Sequence, residues 1–132
     1  MKIKYGRGYV YAIQYHIVWC VKYRRKVLSP EIGHALLEIL KEYAHDNRFT
    51  IEEYEFMEDH VHLLVSATPQ TYIPDMMRGM KGVSARKLFL RFPGLKEKLW
   101  GGHMWNPSYF IATISEQTEE QIRDYIRSQK ER

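Results

Sequence analysis

At 132 residues, 45% hydrophobic and 27% charged, the chain is long enough for one hydrophobic core and reads as a single domain, residues 1–132. A net charge of +4 favours a polyanionic partner, and the 14% aromatic content, ten Tyr and three Trp included, suits stacking on unpaired bases. The lone Cys20 excludes an internal disulfide and fits a reducing, cytoplasmic setting. No secretory signal is read, and Tyr9–Val21 is too short to span a bilayer and carries Gln14 and His16, so no membrane partner is expected.

Residues 9–22 read as one long strand. Tyr9, Tyr11, Ile13, Tyr15, Ile17, Trp19 and Val21 fall on one face, with Val10, Ala12, Gln14, His16, Val18 and Cys20 on the other. Both faces are largely apolar, as in a strand covered on both sides or used in an interface. His16 is read as a hydrogen-bonded, half-buried histidine in preference to a ligand. The strand runs into Lys22, Tyr23, Arg24, Arg25 and Lys26, four cations around one aromatic ring. A solvated charge run is the usual reason for such a cluster; the functional one is phosphate binding with the Tyr stacked on a base.

Ser29-Pro30-Glu31 opens a helix, with Ser as N-cap, Pro in the first turn and an acid for the dipole. Ile32, Ala35, Leu36, Ile39, Leu40 and Tyr43 make one buried stripe, and the helix stops near Asp46-Asn47. Residues 50–57 form a second strand, and Glu58-Asp59 turns tightly into a third, His60-Val61-His62-Leu63-Leu64-Val65, so the two pair as a hairpin. Strand alternation puts His60 and His62 on one face and Val61, Leu63 and Val65 on the other. Two neighbouring imidazoles can grip a divalent metal if a third ligand arrives. Alone the motif is weak: six histidines would give His-x-His by chance in roughly one shuffled chain in four.

Ile73 to Phe92 is helical in pattern, with a stripe of Ile73, Met76, Met77, Met80 and Val83 and with Gly79 and Gly82 as weak points. Arg78, Lys81, Arg86, Lys87 and Arg91 make it strongly basic, with no acid between Asp75 and Glu97, which favours phosphate contact over simple solvation. Pro93-Gly94 ends it. The Trp100–Trp105 loop offers tryptophans as core anchors or stacking platforms, and Tyr109 to Ile114 reads as a fourth strand. A last helix starts at the capping box Thr118-Glu119-Glu120-Gln121 and places Ile122, Tyr125, Ile126 and Gln129 on one face. Two isoleucines are a thin stripe, so this helix, joined to the last strand by Ser115-Glu116-Gln117, is expected to be held loosely. Three residues follow Gln129, so little or no extension is expected beyond it. The bland reading makes Tyr125 part of the stripe and Gln129 its polar edge. The functional one lays this face over His60 and His62.

The order strand, helix, strand, strand, helix, strand, helix predicts an α+β fold: a ferredoxin-like βαββαβ antiparallel sheet with two helices on one face and an extra C-terminal helix. The residues resemble the small insertion-sequence transposases of the single-tyrosine HUH type (His, hydrophobic residue, His). The likeness covers His16–Leu28 (HIVWCVKYRRKVL), Asp59–Ser66 (DHVHLLVS), Met80–Ala85 (MKGVSA), Trp105–Ile114 (WNPSYFIATI) and Thr118–Gln129 (TEEQIRDYIRSQ). It implies that Tyr125 is the nucleophile, that His60, His62 and Gln129 hold a metal, and that a homodimer with shared active sites acts on single-stranded DNA with hairpin ends.

The implied chemistry is coherent. A phenol has a pKa near 10, so about one in a thousand is ionised at neutral pH, a deficit of about 4 kcal/mol. A metal at the scissile phosphate offsets developing charge. Attack by Tyr125 would leave a phosphotyrosine on the 5′ end and a free 3′-OH. Bond energy is conserved, and the sequence accordingly has no GxxxxGK[ST] loop for a nucleotide. Two imidazoles and an amide oxygen suit Mn²⁺ and accept Mg²⁺. Two rivals are a non-catalytic single-stranded nucleic-acid-binding module of the same fold and a zinc hydrolase in which Tyr125 is incidental. A further alternative is a domesticated relative that processes repeated palindromes.

Overall fold

The computed structural model describes residues 3–114 and 118–129, without the side chains of Trp100 and 118–120. The expected capping box, the Ser115–Gln117 joint and the role of Trp100 therefore lie outside the described residues. The chain opens with a two-stranded hairpin, β1 (Lys4–Gly6) and β2 (Tyr9–Tyr11). Strand β3 (Gln14–Cys20) then enters a second sheet. The single long strand expected over residues 9–22 is thus two strands. Tyr9–Tyr11 pairs with Lys4–Gly6, whereas Gln14–Cys20 pairs with later strands, so the chain changes sheets at Ala12-Ile13. The apolar alternation runs through this joint without a turn residue to mark it.

Helix α1 (Pro30–Asp46) is capped as the sequence implies: the Ser29 hydroxyl accepts a hydrogen bond from the Ile32 N–H at 3.3 Å. Strands β4 (Thr50–Met57) and β5 (His60–Ser66) form the expected hairpin across Glu58-Asp59. A register shift between Ile51 and Glu53 lets both Ile51 and Tyr54 point inward although three positions apart, which strict alternation forbids. Helix α2 (Ile73–Arg91) keeps both glycines in its interior. At Gly79 the reason is close approach to α1, since a Cβ there would stand 1.6 Å from the Tyr43 hydroxyl oxygen. Strand β6 (Phe110–Thr113) and helix α3 (Thr118–Ser128) complete the chain.

The main sheet has the order β4-β5-β3-β6, every pair antiparallel, as the βαββαβ plan requires. Its inner face sets Ile17, Trp19 and Val21 beside Val61, Leu63 and Val65, all fully buried under Leu36 and Leu40 of α1 and Met77, Met80 and Leu88 of α2. Trp105 is a core anchor. Its indole packs edge-on against Trp19 and donates to the buried Ser84 hydroxyl at 3.0 Å. The opposite face of the sheet receives α3.

Candidate active site

Residues directly opposite in an antiparallel pair share a face, so the register fixes what surrounds the two histidines. His60 stands between Met57 of β4 and Cys20 of β3, and His62 between Glu55 and Val18. Beyond Val18 the His62 row continues into Phe110 of β6. His16, on the same face, lies diagonally across from His62 with ring centroids 5.2 Å apart.

Each imidazole is held at one nitrogen. Asp59, 8% exposed, brings Oδ1 to 2.8 Å from His60 Nδ1, so that nitrogen donates to the carboxylate and Nε2 is the one left to face a ligand. The other Asp59 oxygen takes Arg24 Nε at 3.1 Å and Nη2 at 3.0 Å. His62 Nε2 meets His16 Nδ1 at 3.0 Å, one of them donating, while His62 Nδ1 stands 4.0 Å from Glu55 Oε2. Burial, then the neighbouring His16, holds His62 below the ordinary histidine value and so in the neutral form a metal needs. The reading of His16 as half-buried and hydrogen-bonded agrees with this geometry. A small cavity of about 80 Å³, the size for an ion and not for a nucleotide, borders His60, His62 and Glu55 and is closed by Ile122 and Ile126 of α3. Among the described residues no three His, Cys, Asp or Glu side chains form a metal cluster. The sheet therefore offers an imidazole pair, a fit for a borderline divalent ion that needs one more donor, such as the Gln129 amide.

Helix α3 lies on this face as expected, but with its side chains divided. Ile122 and Ile126 cover the histidines, whereas Tyr125 and Gln129 turn to the β6 side. The Tyr125 phenol is 2.7 Å from Ser108 Oγ, and its ring lies 5.7 Å from that of Phe110. Ser108 Oγ also lies 3.5 Å from Gln129 Oε1. Among the described residues neither Tyr125 nor Gln129 hydrogen-bonds to His60 or His62. Since Phe110 and His62 flank β3, the phenol sits about two strand spacings, roughly 10 Å, from the His62 row. Burial pushes the Tyr125 phenol up, and the Ser108 hydrogen bond draws it partly back. Ser108 is itself fixed: its N–H donates to Asn106 Oδ1 at 3.0 Å and its carbonyl accepts from Lys81 Nζ at 3.0 Å.

The expected DNA-contacting residues are less free than their sequence suggests. Arg24 is committed to Asp59, Lys22 lies over the Tyr23 ring, and Arg25 and Lys26 are exposed. Lys81 is tied to the Asn106 and Ser108 carbonyls, and burial pulls it down to about 8. Lys87 and Arg91 pair with Glu42 and Glu38 of α1, and Arg78 with Asp75. Single-signed in sequence, the α2 segment meets its acids across the helix pair; Arg86 remains exposed. Asp59 and Ser108 were not singled out from sequence. Their only signal was membership of the DHVHLLVS and WNPSYFIATI blocks.

The family described as "Transposase IS200 like" matches residues 9–129. The chain belongs to the IS200-like transposase family. Over all 132 residues it is 53% identical to the ISDra2 transposase TnpA of Deinococcus radiodurans, covering 94% of that protein. It is 33% identical over 118 residues to the transposase of insertion sequence element IS200 from Salmonella typhimurium, 89% of this chain and 77% of that one. Among solved structures, a putative transposase from Deinococcus radiodurans superposes with a TM-score of 0.92 at 49% identity, covering 96% and 98% of the two chains. A REP-associated tyrosine transposase bound to a REP hairpin superposes at 0.57 with 17% identity, over 91% of this chain and 67% of that one, a likeness of fold alone. Transposition of DNA is thus the activity class, and among the described residues no helix is long and apolar enough to cross a membrane.

Proposed function

We propose that this IS200-like transposase cleaves and rejoins single-stranded DNA at hairpin-bearing element ends through a 5′-phosphotyrosine on Tyr125, assisted by a divalent metal at His60, His62 and Gln129. The observation that carries the reading is the common face: an imidazole pair with one nitrogen of each already held, and a docked helix presenting a phenol two strands away. In the step, Tyr125 Oη bonds to phosphorus as the bond to the 3′-oxygen breaks. The phenol loses its proton and the departing 3′-oxygen gains one. Ser108 orients the phenol, and Asp59 and His16 hold the imidazoles. Mn²⁺ or Mg²⁺, when bound, would supply positive charge beside the phosphate.

The separation of Tyr125 from His62 favours a homodimer in which the helix of one chain serves the histidines of the other. The hairpin in the REP-associated relative supports folded single strands as the substrate class. A labelled hairpin oligonucleotide should leave label on the denatured protein, and a Tyr125→Phe protein that still carries the adduct refutes the nucleophile. His62→Ala should abolish Mn²⁺-dependent cleavage while hairpin binding persists, and comparable cutting of full duplex would point to another class of enzyme.

A further inference from the structure

On the other side of the segment that carries Ser108 lies a cavity of about 380 Å³, within the range of small-ligand sites, bounded by Pro74, Met77, Arg78, Lys81, Pro107 and Tyr109. Neighbours along this segment point to different sides. Ser108 reaches Tyr125 on the α3 side, while Pro107 and Tyr109 line the cavity on the α2 side. The cavity therefore opens within a residue of the nucleophile's hydrogen-bond partner. Its walls are flat and apolar: two proline rings, a tyrosine ring and the edge of buried Met77. Its polar groups are few. The Tyr109 hydroxyl has no hydrogen-bond partner among the described residues. Arg78 stands at the rim, 77% exposed, and its ion pair with Asp75 is also exposed and weak. Lys81 braces the wall through two carbonyls at 2.6 and 3.0 Å and lies over the Tyr109 ring, 5.9 Å from its centroid.

We propose that this cavity is a pocket for one unpaired nucleobase of the bound strand, one or two nucleotides from the scissile phosphate. Tyr109 and the prolines stack on the base, and Arg78 takes the adjoining phosphate. Flat apolar walls with a cation at the mouth match a nucleotide's flat base and charged backbone, and base–aromatic stacking tolerates any base identity. The inference rests on the single-stranded substrate proposed above.

Equilibrium binding of hairpin oligonucleotides, each with one abasic site among the unpaired positions near the cleavage point, tests it. At one position the missing base should weaken binding about ten-fold. Tyr109→Ala should weaken the intact strand by the same factor and the strand abasic at that position no further, while Tyr109→Phe keeps most of the affinity. Because Tyr109 also packs against the core, Pro74→Trp is the second variant: Pro74 is exposed, and the larger ring should plug the mouth with the same signature. Losses that add at every position, or binding that neither variant alters, overturn the pocket. A changed mass of the DNA-free protein in both variants does so too, because the cavity then belongs to a subunit contact. The Tyr125 adduct is measured separately on the intact strand. Its absence would remove the cleavage reaction and leave base-dependent binding to be judged alone.

Discussion

Ser108→Ala removes the one hydrogen bond that the Tyr125 phenol makes among the described residues, at 2.7 Å, and a weaker contact to Gln129 at 3.5 Å. A neutral hydrogen bond contributes about 0.5–1.5 kcal/mol, so single-turnover adduct formation should slow by about 2- to 13-fold. Ser108 is exposed, so the fold should survive, and Ser108→Thr should restore the rate. The pH dependence separates orientation from general damage. Burial already holds the phenol above its ordinary value and Ser108 draws it down. Without the serine, the rise in rate as the phenol ionises is displaced to higher pH, and the deficit is largest on the acid side. Single-turnover reactions with labelled hairpin strand, run from neutral to alkaline pH beside an unfolding curve for each protein, give all three readouts. A Ser108→Ala protein within two-fold of wild type at every pH would show that the contact does not orient the nucleophile in the reacting state.

Ser84→Ala strands the buried Trp105 indole N–H and should cost about 1–3 kcal/mol in denaturant unfolding without altering hairpin recognition. Cys20 is fully buried, with its thiol pushed up to about 11, so an alkylating agent at mildly alkaline pH should label it only after denaturation. The docked Tyr125 phenol lies above its unfolded value, so the docking of α3 is intact below about pH 10 and weakens as pH rises through the folded value; Tyr125→Phe should remove that alkaline loss in a circular-dichroism titration. Mixing His62→Ala with Tyr125→Phe should restore cleavage, since sharing between subunits leaves one intact site per mixed dimer; no recovery with mixed dimers present refutes sharing.

The sheet was legible because its signals are local. Ser29-Pro30 marked α1, Glu58-Asp59 marked the β4–β5 hairpin, and alternation placed His60 and His62 on one face, all as observed. The β1–β2 hairpin was missed, and the break at Ala12-Ile13 with it, because tyrosines and valines alternate across the joint and only hydrogen-bond partners distinguish the two sheets. Charge along the chain is incomplete for a related reason. Lys87 and Arg91 look unopposed along the chain, yet Glu42 and Glu38 reach them from a helix some fifty positions earlier. Asp59 and Ser108 are ordinary residues in sequence; their roles exist only once Arg24 and His60, or Lys81 and Tyr125, stand beside them.

Helix α3 shows why facing the histidines and serving them are different things. Spacing alone put Ile122, Tyr125, Ile126 and Gln129 on one face, but that face is broad enough to span the sheet from β5 to β6. The two isoleucines settle over the imidazole cavity, Ile126 half-buried and Ile122 at 6% exposure, where the burial of Ile122 contributes about 1.5–3 kcal/mol as an upper estimate. The phenol is left over Phe110. The packing that seats the helix therefore closes the cavity a metal would enter and holds the nucleophile on the far side of β3. Replacing Ile126 by Ala should loosen this seat, and Mn²⁺ binding to the DNA-free protein, measured by titration, should tighten if the covered cavity limits access. Equal or weaker Mn²⁺ binding, with His60 and His62 intact and the fold unchanged, would mean that the isoleucines support the imidazole pair and do not occlude it.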